Sequence, residues 1–242
     1  MRNAIVALLL LVGTTGCVAD LLEGFLLSES EQQALQNNMT AIFDTNNMTA
    51  EWVYAASRGD LDLSQFNYTA PSAANNWMGR IDAQGATLPF GDGNFALDFM
   101  VTGDDGPVDP YDPTVDLSDD QNVVVDAVFD FMGTSLTGAP LTISGDVDFD
   151  TVQNGLNQVI VDLGGNLFVS HDGYDTNLDI SNLQATLDMV QGQVTDLQGS
   201  VSGEVSIPGF MFPGQFTLQG LGPDLDVLVE ASLSFFGFDI QL

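Results

Sequence analysis

The amino-acid sequence predicts an all-β protein: an antiparallel β-sandwich, or an open barrel or meander, preceded by a short helical segment. Three observations lead there. From about residue 60, apolar and polar residues alternate with a period of two, the spacing at which successive strand side chains face opposite sides of a sheet. Turn-forming pairs, Gly164-Gly165, Asp172-Gly173 and Pro213-Gly214, fall between the alternating runs. Apolar residues make up 45% of the chain, which supports a sizeable core and argues against wholesale disorder.

The elements follow in order. Residues 18–27 read as an apolar tether. Ser28-x-x-Glu31 is a capping box, and Leu35, Met39, Ile42 and Phe43 recur at helical spacing up to Asn46 and Asn47. A second short helix is expected from Thr49 to Ser57, stopped by Gly59. Then come the strands. Phe95, Leu97, Phe99 and Val101 form one apolar row, and Val123, Val125, Ala127, Phe129 and Phe131 a second. Leu141, Ile143, Val147 and Phe149 form a third, and Leu225, Val227, Val229, Ala231 and Leu233 a last. Asp, Thr and Ser hold most intervening positions, as one wet sheet face requires.

Three segments need separate arguments. Residues 103–120, with Gly103-Asp104-Asp105-Gly106-Pro107, Pro110 and Pro113, are rich in Asp, Gly and Pro. The strands before them span about 40 residues, too few to stand alone without disulfide or metal, so the segment reads as a long acidic loop inside one domain of residues 58–242. Leu183, Leu187, Val190, Val194, Leu197 and Val201 follow a helical heptad spacing. Gly192 and Gly199 would each cost about 1 kcal/mol in a helix interior, and the same stretch also alternates, so strands are expected. At the C-terminus the apolar positions move from odd to even after Phe235. A period of two cannot slip by one without a defect, which predicts a β-bulge or tight bend between Phe235 and Gly237.

Charge narrows the function classes. The chain carries 34 acidic residues against three Arg, at positions 2, 58 and 80, and no Lys, for a formal net charge of −31. Nucleic acid is excluded as a partner, because phosphate binding needs basic residues. Electrostatic docking on anionic lipid is excluded on the same ground. Such self-repulsion is destabilising at low salt. It is screened where the Debye length falls to about 3 Å near 1 M salt, or where divalent cations neutralise it.

The first residues carry an address. Met1-Arg2-Asn3 is a short cationic start, Ala4 to Val12 an unbroken apolar run, and Gly13-Thr14-Thr15-Gly16 a small-residue exit before Cys17, the single cysteine. This is the plan of a secretory signal, and the run is far below the roughly 20 apolar residues that cross a bilayer. The segment resembles the signals of bacterial lipoproteins. Gly16-Cys17 matches their motif, while Thr14 stands where Leu is usual. The resemblance covers only the first seventeen or so residues. It implies a signal peptide over residues 1–16, cleavage before Cys17, acylation (palmitate among the chains) of Cys17, and a lipid-anchored protein in the cell envelope. Val18, not being Asp, implies the outer membrane. An ordinary signal cut after Ala19 is the plainer alternative. Two or more acyl chains anchor stably where one binds only marginally. With Cys17 lipidated no disulfide remains, so burial alone must hold residues 17–57 and the β domain.

Candidate chemistry is thin. His171, the only histidine, sits in His171-Asp172-Gly173 and could be a general base oriented by Asp172 or Asp175; a polar loop residue is the plainer reading. No Gly-x-Ser-x-Gly and no phosphate loop occur. Ca²⁺ takes 6 to 8 oxygen ligands and is the one cofactor candidate. Asp146, Asp148 and Asp150 alternate, so a strand places all three on one face as a metal site. Asp104, Asp105, Asp109 and Asp112 share one loop, and Asp172, Asp175, Asn177 and Asp179 crowd another stretch. After Asp150, Thr151 and Asn157 stand where an EF-hand needs Gly and Glu. A solvated acidic face in a salt-adapted protein is the competing explanation. Val124, Val128 and Met132 share the face of Asp126 and Asp130, and Phe210-Met211-Phe212 lie in an expected loop; these apolar residues could cover a second layer or line a groove.

Three functions are therefore expected in order. The first is a lipid-anchored envelope protein with a non-catalytic structural or interaction role. The second is a carrier with an apolar ligand such as a lipid as its partner. The third is a hydrolase built on paired carboxylates, which needs two carboxyls about 5 to 9 Å apart.

Overall fold

Alternation becomes strand, and each strand pairs with its neighbour in the chain. The computed structural model describes residues 37, 38, 41, 45, 48, 49, 52–56 and 58–241, with 116, 118–119, 156–157, 189–192, 207–213, 222–231 and 236–237 outside that description. Its strands are β1 (Asn67–Thr69), β2 (Gly79–Leu88), β3 (Gly91–Gly103), β4 (Gly106–Val108), β5 (Asn122–Ser135) and β6 (Pro140–Gln153). They continue as β7 (Gln158–His171), β8 (Tyr174–Asp188), β9 (Gln193–Ser206), β10 (Gly214–Leu221), β11 (Ser232–Phe235) and β12 (Phe238–Gln241). All belong to one antiparallel sheet ordered β1-β2-β3-β5-β6-β7-β8-β9-β10-β11-β12, with β4 paired to β3 alone. Of the all-β topologies open to the sequence, this is the meander.

The two faces separate as the alternation requires. Ile81, Leu97, Phe99, Val101, Phe129, Ile143, Phe149 and Val169 are buried on one side, the inner face. Asp126, Asp130 and Asp148 are exposed on the other, the outer face. A helical region, seen at Thr45, Met48, Thr49 and residues 52–56, covers the inner face. Trp52 makes edge-on ring contacts with Phe66 at 6.0 Å and Phe95 at 4.9 Å, and meets Phe129 at 6.2 Å. Tyr54 meets Phe149 at 5.9 Å. The helix thus spans β3, β5 and β6, and each such ring pair adds about 0.5–1.5 kcal/mol beyond the area it buries. Trp52, Val53 and Ala56 are buried members of the hydrophobic core.

Strands this long need relief from uniform pleating, and bulges supply it. Registers shift between Ala83 and Ala86 in β2, between Leu163 and Gly165 where β7 meets β8, and at Ser181/Gln184 and Thr186/Leu187 where β8 meets β9. In β2 the bulge holds Gly85 at φ 67°, with its N–H donating to Asn94 Oδ1 at 2.9 Å. Gly165 answers a different need. At φ 132°, a Cβ there would lie 2.2 Å from the Asp146 carbonyl oxygen, so glycine permits β6 and β7 to approach at that point.

In the 183–201 stretch the described residues, 183–188 and 193–201, are strand, in β8 and β9. Parity shifts twice here: the β8 bulge moves its buried positions from Thr176 and Leu178 to Leu183 and Ala185, and β9 carries an extra residue, Thr195, between the partners of Thr186 and Leu187. The acidic 103–120 segment contains the short strand β4, and β3 pairs directly with β5 across it, so it is an insertion between sheet neighbours. Its acids build turns. Asp104 accepts from the Gln121 and Asn122 N–H groups, Asp109 from the Tyr68 hydroxyl and the Tyr111 N–H, and Asp112 from Thr114. At the C-terminus the parity change is a chain reversal, with β11 and β12 antiparallel and Phe235 opposite Phe238. The signal, Cys17, the Ser28 capping box, Leu35, Met39, Ile42, Phe43, Asn46, Asn47, residues 207–213 and residues 222–231 lie outside the described residues.

Candidate functional site

Sheet register, more than sequence proximity, assembles a concave polar surface on the outer face. Val124 of β5 lies opposite Asp150 of β6, Asp150 opposite Asp162 of β7, Asp162 opposite Gln184 of β8, and Gln184 opposite Gln198 of β9. One lateral row thus crosses five strands. The adjacent row begins with Asp126 opposite Asp148 and Asp148 opposite Gly164. There it meets the β7–β8 bulge, where Gly164 has no register partner on β8. Missing side chains at Gly164 and Gly199, together with the bulge, indent the sheet into a cleft of about 520 Å³. Its rim carries Asp148, Asp150, Asp162, Gln184 and Gln198.

Hydrogen bonds inside the cleft are incomplete. Gln184 Nε2 donates to Asp162 Oδ1 at 2.7 Å, and Gln198 Nε2 donates to Asp196 Oδ2 at 2.7 Å. Asp150 Oδ1 is shielded from solvent and accepts no hydrogen bond. Burial, followed by the nearby charge of Asp162, pushes the Asp150 carboxyl above the usual carboxylate range. Burial, then Asp126 and Asp146, does the same for Asp148. An unpaired carboxylate oxygen in a partly desolvated hollow favours an occupant that brings positive charge or an N–H donor. The only aromatic in the lining is Phe149, and its side chain is buried in the inner-face core, so the cleft has no exposed ring on which a sugar could stack.

Asp146, Asp148 and Asp150 stand on one face of β6, as the alternation predicts, and two of them reach the cleft. Asp146 lies one step further along, opposite Val128 and Asn166. Among the described residues, no three His, Cys, Asp or Glu side chains are grouped so as to hold a metal ion. The second acidic stretch is dispersed: Asp172 occupies the β7–β8 turn at φ 51°, while Asp175, Asn177 and Asp179 alternate along β8. Val128 and Met132 are 48% and 69% exposed on the outer face, where no second layer covers them among the described residues.

His171 differs from its expected setting. Odd positions of β7 point inward, so the imidazole is buried, at 6% exposure, and neither Asp172 nor Asp175 orients it by a hydrogen bond among those described. Its Nδ1 lies 2.8 Å from Asn38 Oδ1 and its Nε2 3.3 Å from Ser135 Oγ. A neutral ring donating from Nδ1 and accepting at Nε2 satisfies both. Burial lowers its pKa from the usual imidazole value, with Asp172 opposing.

Sequence reasoning missed Asp162, Gln184 and Gln198. A period of two says which face a residue occupies, but lateral neighbours depend on turn lengths and bulges that the pattern does not encode. The chain matches no protein-family model, no curated protein and no solved structure.

Proposed function

We propose that the protein is a lipid-anchored cell-envelope protein with a non-catalytic interaction role. In this reading Cys17 holds it to the outer membrane, and the outer-face cleft receives cationic groups of a partner molecule. One observation carries the interaction role: the shielded, unpartnered Asp150 carboxylate oxygen in a cleft rimmed by acceptors. Two others support it. The net charge of −31 attracts cationic partners over distances of a Debye length. The inner face under Trp52 is filled by aromatic packing, which favours interaction through the outer surface over carriage of an apolar ligand beneath that helix. Calcium is a competing occupant of the same carboxylates.

The cleft is tested with an oligolysine peptide as probe, titrated into the chain at physiological salt. Replacing Asp150 and Asp162 together with Asn is expected to weaken binding about tenfold, close to 1.4 kcal/mol. Replacing Asp62 and Asp112, which lie in loops away from the cleft, removes equal charge and is expected to change binding by less than about twofold. Equal losses in the two double variants would mean that only net charge attracts the peptide. Calcium competing at micromolar concentration would reassign the cleft to the metal. The anchor is tested separately: Cys17→Ser is expected to move the protein from the membrane fraction to the soluble one, and its retention in membranes would refute lipidation.

A further inference from the structure

We propose that the outer face of β3 and β5 docks a basic amphipathic helix of a partner protein. The proposal rests on the reading of the outer surface as the interacting one, and it names the occupant.

Two neighbouring strands build this face, with their alternations out of step. Outward positions of β3 include Ala96, Asp98 and Met100, and those of β5 include Val124, Asp126, Val128, Asp130 and Met132. Register sets Ala96 opposite Asp130, Asp98 opposite Val128 and Met100 opposite Asp126. Each apolar side chain of these pairs therefore faces a carboxylate directly and apolar side chains diagonally. Diagonal neighbours in an antiparallel pair lie about 7–8 Å apart, within reach of long side chains. Met132, Ala96, Val128, Met100 and Val124 thus make one unbroken zigzag. Val128 and Met132 in it are exposed, and the other three are half-buried.

Charge beside the zigzag is uneven. Toward β2, Asp98 is paired with Arg80, which also reaches Asp82. Toward β6, Asp126, Asp130, Asp146 and Asp148 make no ion pair among the described residues, and Asp126 directly faces Asp148. Val124 lies opposite Asp150, and both line the outer-face cleft. The apolar stripe therefore runs into the cleft and shares its carboxylates.

These features select an occupant. An exposed apolar stripe is stabilised by burial, but carboxylates beside it resist desolvation unless cations arrive with the covering surface. A second copy of this chain, with a net charge of −31, brings the wrong sign. An extended segment that lays apolar side chains on the stripe turns its polar ones to the opposite side, away from the carboxylates. A helix carries apolar and basic residues on adjacent faces. From Met132 to Val124 the stripe runs about 26 Å at about 3.3 Å per residue, the length of a helix of about 18 residues. Its apolar face covers Val128 and Met100, and its basic flank lies toward β6, over Asp126, Asp130 and Asp148.

Two synthetic peptides test the proposal by calorimetric titration of the full chain at physiological salt. One is a helix of about 18 residues with Leu along one face and Lys along the other. The second is an oligolysine with the same number of Lys. The Leu–Lys helix is expected to bind about tenfold tighter or more. Val128→Thr combined with Met132→Thr is expected to remove most of that preference and to change oligolysine binding by less than about twofold. Threonine keeps the strand-forming tendency, and an unchanged melting temperature confirms folding of the variant. Trp77→Ala removes exposed apolar surface outside β3 and β5 and is expected to alter neither affinity. Equal affinity for the two peptides, with oligolysine still dependent on Asp150 and Asp162, overturns the helix site and spares the cleft. Binding of neither peptide overturns the interaction reading itself. A preference that survives the paired threonine substitutions overturns the stripe as its source. Self-association that those substitutions abolish gives the stripe to a second copy and likewise overturns the proposal.

Discussion

Trp52→Ala is expected to lower the unfolding free energy by about 3–5 kcal/mol, the range for deleting a large aromatic side chain from a core. For a chain of this length that corresponds to a fall in melting temperature of roughly 6–20 °C. The reason lies in what the indole joins. Trp52 is 6% exposed and reaches Phe66, Phe95 and Phe129, which come from a loop, from β3 and from β5. Phe66 and Phe95 also contact each other at 5.5 Å, so the hole left by the indole is walled by rings that already hold one another and can collapse little. Trp77→Ala is the matched control. Trp77 is 37% exposed, and its truncation is expected to stay within about 0.5 kcal/mol. Thermal unfolding followed by near-ultraviolet circular dichroism reads both. A loss below 1 kcal/mol at Trp52 would mean that the helical region is not part of the cooperative core.

The same residues show what can be read from sequence and what cannot. Phe95, Leu97, Phe99 and Val101 are buried because alternation is a property of one strand, visible in the strand alone. The cleft is a property of five strands together. Asp150 meets Asp162 only because the turn between β6 and β7 sets that register, and the row reaches Gln184 only because of the bulge beside it. Nothing in the local spacing of Asp146, Asp148 and Asp150 distinguishes the two that reach the cleft from the one that does not. The heptad-like run from Leu183 to Val201 has a related origin: one extra residue in β9, Thr195, reverses parity, and a parity reversal inside an alternating run imitates helical spacing. For His171, strand parity places the ring inward, while the adjacent Asp172-Gly173 turn is a feature of solvent-facing loops. Its partner Asn38, far away in sequence, is a tertiary fact. Charge, by contrast, needs no fold to be counted, though its placement does.

Raising NaCl from about 0.01 to 1 M is expected to stabilise the protein by roughly 3 kcal/mol, or about 6–12 °C in melting temperature. Over that range the Debye length shrinks from about 30 to 3 Å. The structure shows where the repulsion resides. Asp126 lies directly opposite Asp148, and Asp150 opposite Asp162, and like charges facing across strands are destabilising by a few tenths to about 1 kcal/mol each. Arg80 relieves some of it: its Nη1 donates to both Asp98 carboxylate oxygens, at 2.9 and 2.7 Å, and its Nε lies 3.4 Å from Asp82 Oδ2. Acid should act in the same direction as salt at Asp148 and Asp150. Their folded-state pKa values are raised, so the folded state binds protons more readily than the unfolded chain. Their stabilising contribution is complete below the ordinary carboxylate pKa and is lost as pH rises through the raised folded value. Since Asp148 is exposed and Asp150 only half-buried, the contribution is at most about 1 kcal/mol after screening. The two treatments should therefore be less than additive: salt added at pH 4.5 has less repulsion left to screen than salt added at pH 7.5. Measuring the melting temperature over both variables separates this from a general salting-out effect, which would raise stability equally at either pH. A melting temperature indifferent to salt at pH 7.5 would mean that the facing carboxylates are already neutralised, by protons or by a bound cation.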